Sequence, residues 1–127
     1  MTDHLSRSLD RISRVRGVRG SMFVAADDGI VVEQLLMEGV NGRAVAAFAA
    51  SLARKVSGAA AATGGGKVRF IQMAAEGGTL LVAQAPPELL VGAVADPGVN
   101  IGLARLEMMH AADTPDAATP GELASQG

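Results

Sequence analysis

The feature that most constrains this chain is the stretch 43–62, in which ten of twenty positions are Ala, none is Pro and one, Gly58, is Gly. A run of that length and composition predicts a helix, because alanine is the strongest helix former and strands seldom exceed about ten residues. Both ends are marked. Asn41 stands where a capping side chain is needed, and Thr63-Gly64-Gly65-Gly66 stops the helix, since glycine reaches the left-handed conformation of a helix C-terminus without steric cost. Everything else in the chain must be arranged before or after this element.

Before it, residues 3–15 place Leu5, Leu9, Ile12 and Val15 on one helical stripe, with Thr2 or Asp3 as N-cap and acid-before-base pairs Asp3/Arg7 and Asp10/Arg14 on the solvated side. Two β-rich runs follow, 18–26 and 30–37. They are joined by Asp27-Asp28-Gly29, whose Asp-Gly step supplies the positive φ of a tight hairpin. After the long helix come three predicted strands, 67–75, 79–85 and 89–95, separated by Glu76-Gly77-Gly78 and Pro86-Pro87. Asp96-Pro97-Gly98 closes the sheet, and Val99, Leu103, Leu106 and Met109 form the stripe of a last helix. The predicted class is α+β in the order αββαβββα. Hairpin connections make the sheet largely antiparallel, and three amphipathic helices suffice to cover both faces. From Asp113 the chain is rich in Pro, Ala, Thr and Ser, which predicts a domain over 1–112 and a disordered tail over 113–127.

Composition narrows the function. At 127 residues the chain fits one domain, and with aromatic residues at 2% and neither Trp nor Tyr its core must be aliphatic. The absence of Cys excludes a disulfide framework, thiolate metal sites and a cysteine nucleophile. The N-terminal residues alternate in charge and carry no apolar run suited to a signal peptide or membrane span, so the expected location is cytoplasmic, without membrane insertion. A net charge of −2 and the lack of stacking aromatics argue against nucleic acid as a partner.

Chemistry-bearing motifs fail on spacing or context. Gly64-Gly65-Gly66-Lys67 lacks the glycine that a phosphate loop needs at 61 and the hydroxyl it needs at 68, and it leaves a helix for a strand, the reverse of that motif's order. His4 and His110 share no ligand spacing, and the adjacent Asp27 and Asp28 are explained by turn formation. Ser21, Ser51 and Ser57 have no base at a recognisable offset. No catalytic, cofactor-binding or metal residue is predicted, and the chain is expected not to be an enzyme.

The long helix is unusual because both its faces are apolar. At 100° per residue, Val45, Phe48, Ala49, Leu52, Val56 and Ala59 share one side, which is expected to pack on the sheet. The other carries Ala46, Ala47, Ala50, Ala53, Ser57 and Ala61 with Arg43 and Arg54. Small side chains allow close helix approach, so this second face is expected to be a contact surface for another chain. Between Gly39 and Ala75 there is no acidic residue, whereas Arg43, Arg54, Lys55, Lys67 and Arg69 are basic, a pattern suited to an acidic partner protein. The run Val68-Arg69-Phe70-Ile71-Gln72-Met73 is a candidate sheet edge open to pairing with a second chain. The expected dimer and partner interface is therefore Arg43, Ala46, Ala47, Ala50, Ala53, Arg54, Ser57, Lys67, Arg69 and Ile71.

Several of these segments carry a resemblance: Val18-Arg19-Gly20-Ser21-Met22-Phe23-Val24 with Asp28-Gly29-Ile30-Val31, the Ala-rich second helix, and Gly78-Thr79-Leu80-Leu81-Val82 followed by Asn100-Ile101-Gly102-Leu103-Ala104-Arg105-Leu106. Over about residues 3–112 the chain resembles the Roadblock/dynein light-chain family, in particular its bacterial MglB-like regulators of small Ras-like GTPases. The resemblance implies a profilin-like, five-stranded antiparallel sheet with the second helix on one face and the two terminal helices on the other. It further implies a homodimer joined through third strands and second helices, and binding of a small Ras-like GTPase whose hydrolysis it can modulate. Arg43 and Arg54 match no arginine-finger motif of that family, and their expected role is surface complementarity. The function expected is thus a non-enzymatic homodimeric regulator or scaffold; the alternative is an adaptor subunit without nucleotide dependence. A small-molecule sensor would need convergent polar groups that these strands scarcely supply.

Overall fold

The computed structural model describes residues 2–117. The elements are α1 (Thr2–Ser13), β1 (Val18–Ala25), β2 (Val31–Leu36), α2 (Gly42–Ala62), β3 (Phe70–Ala75), β4 (Gly78–Ala85), β5 (Leu89–Ala95) and α3 (Ile101–Ala117), in the predicted order. The strands form one sheet, β2-β1-β5-β4-β3, in which every neighbouring pair is antiparallel. Local chemistry sets the element boundaries. Ile30 N–H donates to Asp28 Oδ1 at 3.1 Å and Gly29 takes φ +72° in the β1–β2 turn, while Ala44 N–H donates to Asn41 Oδ1 at 3.1 Å and caps α2. At the other end of α2, Thr63 Oγ1 donates to Ala59 O and Gly65 N–H to Ala60 O.

The central strands alternate between two cores. Phe23, Leu81, Ala83, Val91 and Ala93 face α1 and α3, packing with Leu9, Ile12, Ala104 and Met108. Met22, Val24, Leu80, Val82 and Leu90 face α2. Both sides of the middle strands are therefore dry, which explains why these strands read as continuous apolar runs. Ser21, a buried polar residue of β1, is satisfied by donating to Leu9 O at 3.2 Å and by sharing a 3.0 Å bond with Ser13 Oγ.

Two boundaries differ from the sequence reading by more than two residues. β3 begins at Phe70, paired with Ala83, instead of at Lys67; one further bond runs from Gln84 N–H to Arg69 O at 3.2 Å, and Lys67 would fall opposite Pro86, which has no N–H to offer. The last helix continues to Ala117, so Asp113 to Ala117 extend it and do not begin a disordered tail. The rest of that predicted tail, 118–127, lies outside the described residues.

Candidate partner interface

The largest correction concerns α2. Ala46, Ala50 and Ala53, expected to face another chain, are 0%, 1% and 5% exposed and pack with Ala49 on Met22, Val24, Leu80, Val82 and Leu90 of the chain's own sheet. The cause is close approach. The small residues are the helix's own: Ala46, Ala49, Ala50 and Ala53 rest on the sheet, a Cβ on Gly42, its first residue, would overlap the ends of Gln34 and Leu36, and one on Gly29 of the β1–β2 turn would lie 3.3 Å from Ala50 Cβ and from Ala47 Cα. A helix held this near leaves no depth for bulky side chains beneath its axis, and they are displaced to its flank.

That displaced row, Val45, Phe48, Leu52 and Val56, was expected in the core. Val45 and Leu52 lie half-buried at the margin of the core, Val56 is also half-buried, and Phe48 is 48% exposed. It borders the part of the sheet that α2 does not roof, since α2 rests on β1, β2 and β5 and only sparsely on β4. Between the helix flank and the sheet runs a groove of about 440 Å³ lined by Val45, Phe48, Met73, Leu80 and Val94, with Arg19 and Asn41 among its polar residues. β3 is an edge strand, as the sequence reading expected. Ile71 packs against the α2-side core, and Met73 stands exposed in the groove wall. Together these residues form an apolar strip from the flank of α2 to an unpaired strand edge.

The remaining expected residues do not converge on that strip. Arg54 uses Nη1 to donate to the carbonyls of Ala26 and Asp27, at 3.4 and 3.3 Å, and so ties α2 to the β1–β2 turn. Arg43 and Ala47 line a second depression beside the same hairpin, with Asp28, Ile30, Val31 and Gln34. Lys67 and Arg69 lie at the far end of β3, beside Gln84, Met109 and Asp113. Ser57 is half-buried on α2. The basic residues that form one block in sequence are thus divided between opposite edges of the sheet, Arg43 and Arg54 at the β1–β2 hairpin and Lys67 and Arg69 at β3.

No group of three or more His, Cys, Asp and Glu among the described residues is placed to hold a metal ion, and no helix among them is long and apolar enough to cross a membrane. Gly64 and Gly66 adopt positive φ, and Gly64 N–H and Gly65 N–H turn back to α2 carbonyls, which makes this glycine run a helix terminator.

Comparison with known proteins gives a consistent result. The model of the Roadblock/LC7 domain family matches residues 6–95. Two uncharacterised proteins of Methanocaldococcus jannaschii are 32% and 31% identical over 109 residues, covering 86% of this chain and 94% of each relative. Among solved structures, the Roadblock/LC7 domain from Streptomyces avermitilis superposes with a TM-score of 0.77 at 20% identity, covering 94% of this chain and 98% of that one. The gliding protein MglB from Thermus thermophilus gives 0.78 at 18%, covering 88% and 85%. These relatives include both archaeal and bacterial proteins.

Proposed function

This chain belongs to the Roadblock/LC7 domain family, and on that premise we propose that it acts as a non-enzymatic homodimeric regulator or scaffold of a small Ras-like GTPase. The observation that carries the dimer is the apolar strip of Val45, Phe48, Leu52, Ile71 and Met73, which joins the flank of α2 to the free edge of β3. A second copy related by a two-fold axis would lay its own α2 flank along this one and continue the sheet through β3, covering both exposed features in one contact. The dimer expected from sequence is retained, but its helix contact moves from the alanine face to the Phe48 flank.

The GTPase part of the reading rests on the family and on the fold shared with MglB. The chain's contribution would be shape and charge: Arg54 is engaged with the hairpin carbonyls, and Arg43, an exposed residue, lines the depression with Asp28 and Ile30. The test is titration of the protein into a Ras-like GTPase encoded beside its gene, loaded with GDP or a non-hydrolysable GTP analogue. Preferential binding of one nucleotide state supports the proposal. Equal binding of both would favour the adaptor reading, and no binding of either would remove the GTPase from the account.

A further inference from the structure

Nothing along β3 guards its free edge. The six residues Phe70–Ala75 include no charged residue and no proline, the devices that usually protect an exposed strand. The proposed dimer joins this edge to a second copy, and the backbone and side chains of β3 limit how two such edges can meet.

The first limit is the pattern of faces. Phe70 packs into the core beneath α1 and α3, Ile71 packs into the core beneath α2, and Met73 lines the groove beside α2. Odd-numbered residues of β3 therefore face the α2 side and even-numbered ones the other side. With both α2 helices on one side of a continuous sheet, odd residues must oppose odd ones, because a slip of one residue turns every side chain to the other face.

The second limit is the backbone. Gln84 N–H donates to Arg69 O, and the same ladder pairs Ile71 with Val82, Met73 with Leu80 and Ala75 with Gly78. Bonded positions alternate along an antiparallel ladder, so Arg69, Ile71, Met73 and Ala75 turn their N–H and C=O groups toward β4. Phe70, Gln72 and Ala74 turn theirs to the free edge. A two-fold axis at Gln72 sets Gln72 against Gln72 and Phe70 against Ala74, so all three outward residues of both copies are bonded: twelve groups in six bonds. An axis at Met73 leaves Phe70 facing Glu76, and one at Ile71 leaves Ala74 facing Val68, both outside the strand. Either shift keeps only two outward residues per copy paired within the strand, which is eight groups in four bonds.

We propose that the second copy joins β3 in this one register, with the two-fold axis at Gln72. The register presupposes the proposed dimer and adds to it the residues that meet. On the α2 side, Ile71 of each copy lies against Met73 of the other, so the partner's Ile71 completes the groove beside Phe48, which is incomplete in a single chain. Past the end of the strand the partner's Glu76 falls opposite Val68, between Lys67 and Arg69, and opposite charges placed across a strand pair stabilise it. Glu76, Lys67 and Arg69 form no ion pair among the described residues of one copy.

Because the chain contains no cysteine, introduced cysteines report the register directly. Opposed residues lie about 4.5–5.5 Å apart at Cα and diagonal ones about 7–8 Å, whereas a disulfide needs less than about 7 Å. Ile71→Cys and Met73→Cys chains are mixed, allowed to exchange and mildly oxidised. The expected product is a covalent dimer of one chain of each kind, identified by non-reducing electrophoresis and mass spectrometry, with neither variant alone forming one. Gln72→Cys, at an exposed position on the other face, should join to itself, and it keeps the test open if either of the first two variants fails to fold. A self-joined Met73→Cys or Ile71→Cys would move the axis and overturn the proposal. Folded variants that keep the dimer mass yet form no covalent pair would also overturn it, and would leave the dimer itself standing. A parent that sediments at the single-chain mass would remove both.

Discussion

Replacing Ala50 by Leu separates the two possible orientations of α2 without relying on any partner. Ala50 is 1% exposed within the core of Met22, Val24, Leu80, Val82 and Leu90, so the three added carbons must displace side chains already packed there. Inserting methylenes into a packed core costs about 1–3 kcal/mol even though the added atoms are apolar. For a domain of this size each kcal/mol lowers Tm by roughly 4 °C, so a fall of roughly 4–12 °C is expected. Ala44→Leu, at an exposed position of the same helix, should remain within about 0.5 kcal/mol of the parent chain. Thermal and urea unfolding followed by circular dichroism at one fixed protein concentration measure both variants, the fixed concentration being needed because self-association raises apparent stability. Equal midpoints for the two variants would show that Ala50 is not held against the sheet and would restore the outward alanine face.

Other substitutions probe individual supports. Asn41→Ala removes the acceptor for Ala44 N–H and should cost about 1 kcal/mol in the same unfolding assay, whereas Asn41→Ser should recover most of it. Gly17→Ala should cost more than Gly39→Ala. Both positions have positive φ, at 97° and 93°, but a Cβ on Gly17 would lie 2.9 Å from Val99 Cα, and one on Gly39 would meet nothing within 4 Å. The shared conformational cost is about 1–3 kcal/mol, and the difference between the two midpoints isolates the collision with Val99. Arg54→Ala should accelerate amide exchange in the β1–β2 turn more than in β4 or β5, because it releases Ala26 and Asp27 from α2.

Much of the architecture is legible in the one-dimensional pattern. The Asp27-Asp28-Gly29 turn, the Asn41 cap and the glycine stop after Thr63 each carry their own stereochemistry, and the structure has all three where the sequence does. The orientation of α2 is not legible in the same way. A hydrophobic wheel assumes that the largest apolar side chains lie deepest, which holds when helix and sheet are separated by full-length side chains. Here Gly42, Ala46, Ala49, Ala50 and Ala53 form a small-residue stripe, and Gly29 on the hairpin opposes it, so the spacing is short and the wheel inverts. That stripe was a usable signal in its own right, but a helix with two apolar faces does not declare which one its own sheet takes. The basic block was misleading for a related reason: proximity in sequence from Arg43 to Arg69 spans a helix 21 residues long and a reversal of direction, which carries Lys67 and Arg69 away from Arg43.

The claim on which the functional reading depends is that the Phe48 flank and the β3 edge are joined to a second copy, and sedimentation equilibrium of the parent chain beside Phe48→Glu tests it most directly. Phe48 is 48% exposed in the single chain, so the substitution spares the core, and its circular dichroism spectrum should match the parent's. The account predicts twice the chain mass for the parent and the single-chain mass for Phe48→Glu. A parent that sediments as a monomer, or a folded Phe48→Glu variant that keeps the dimer mass, would contradict it.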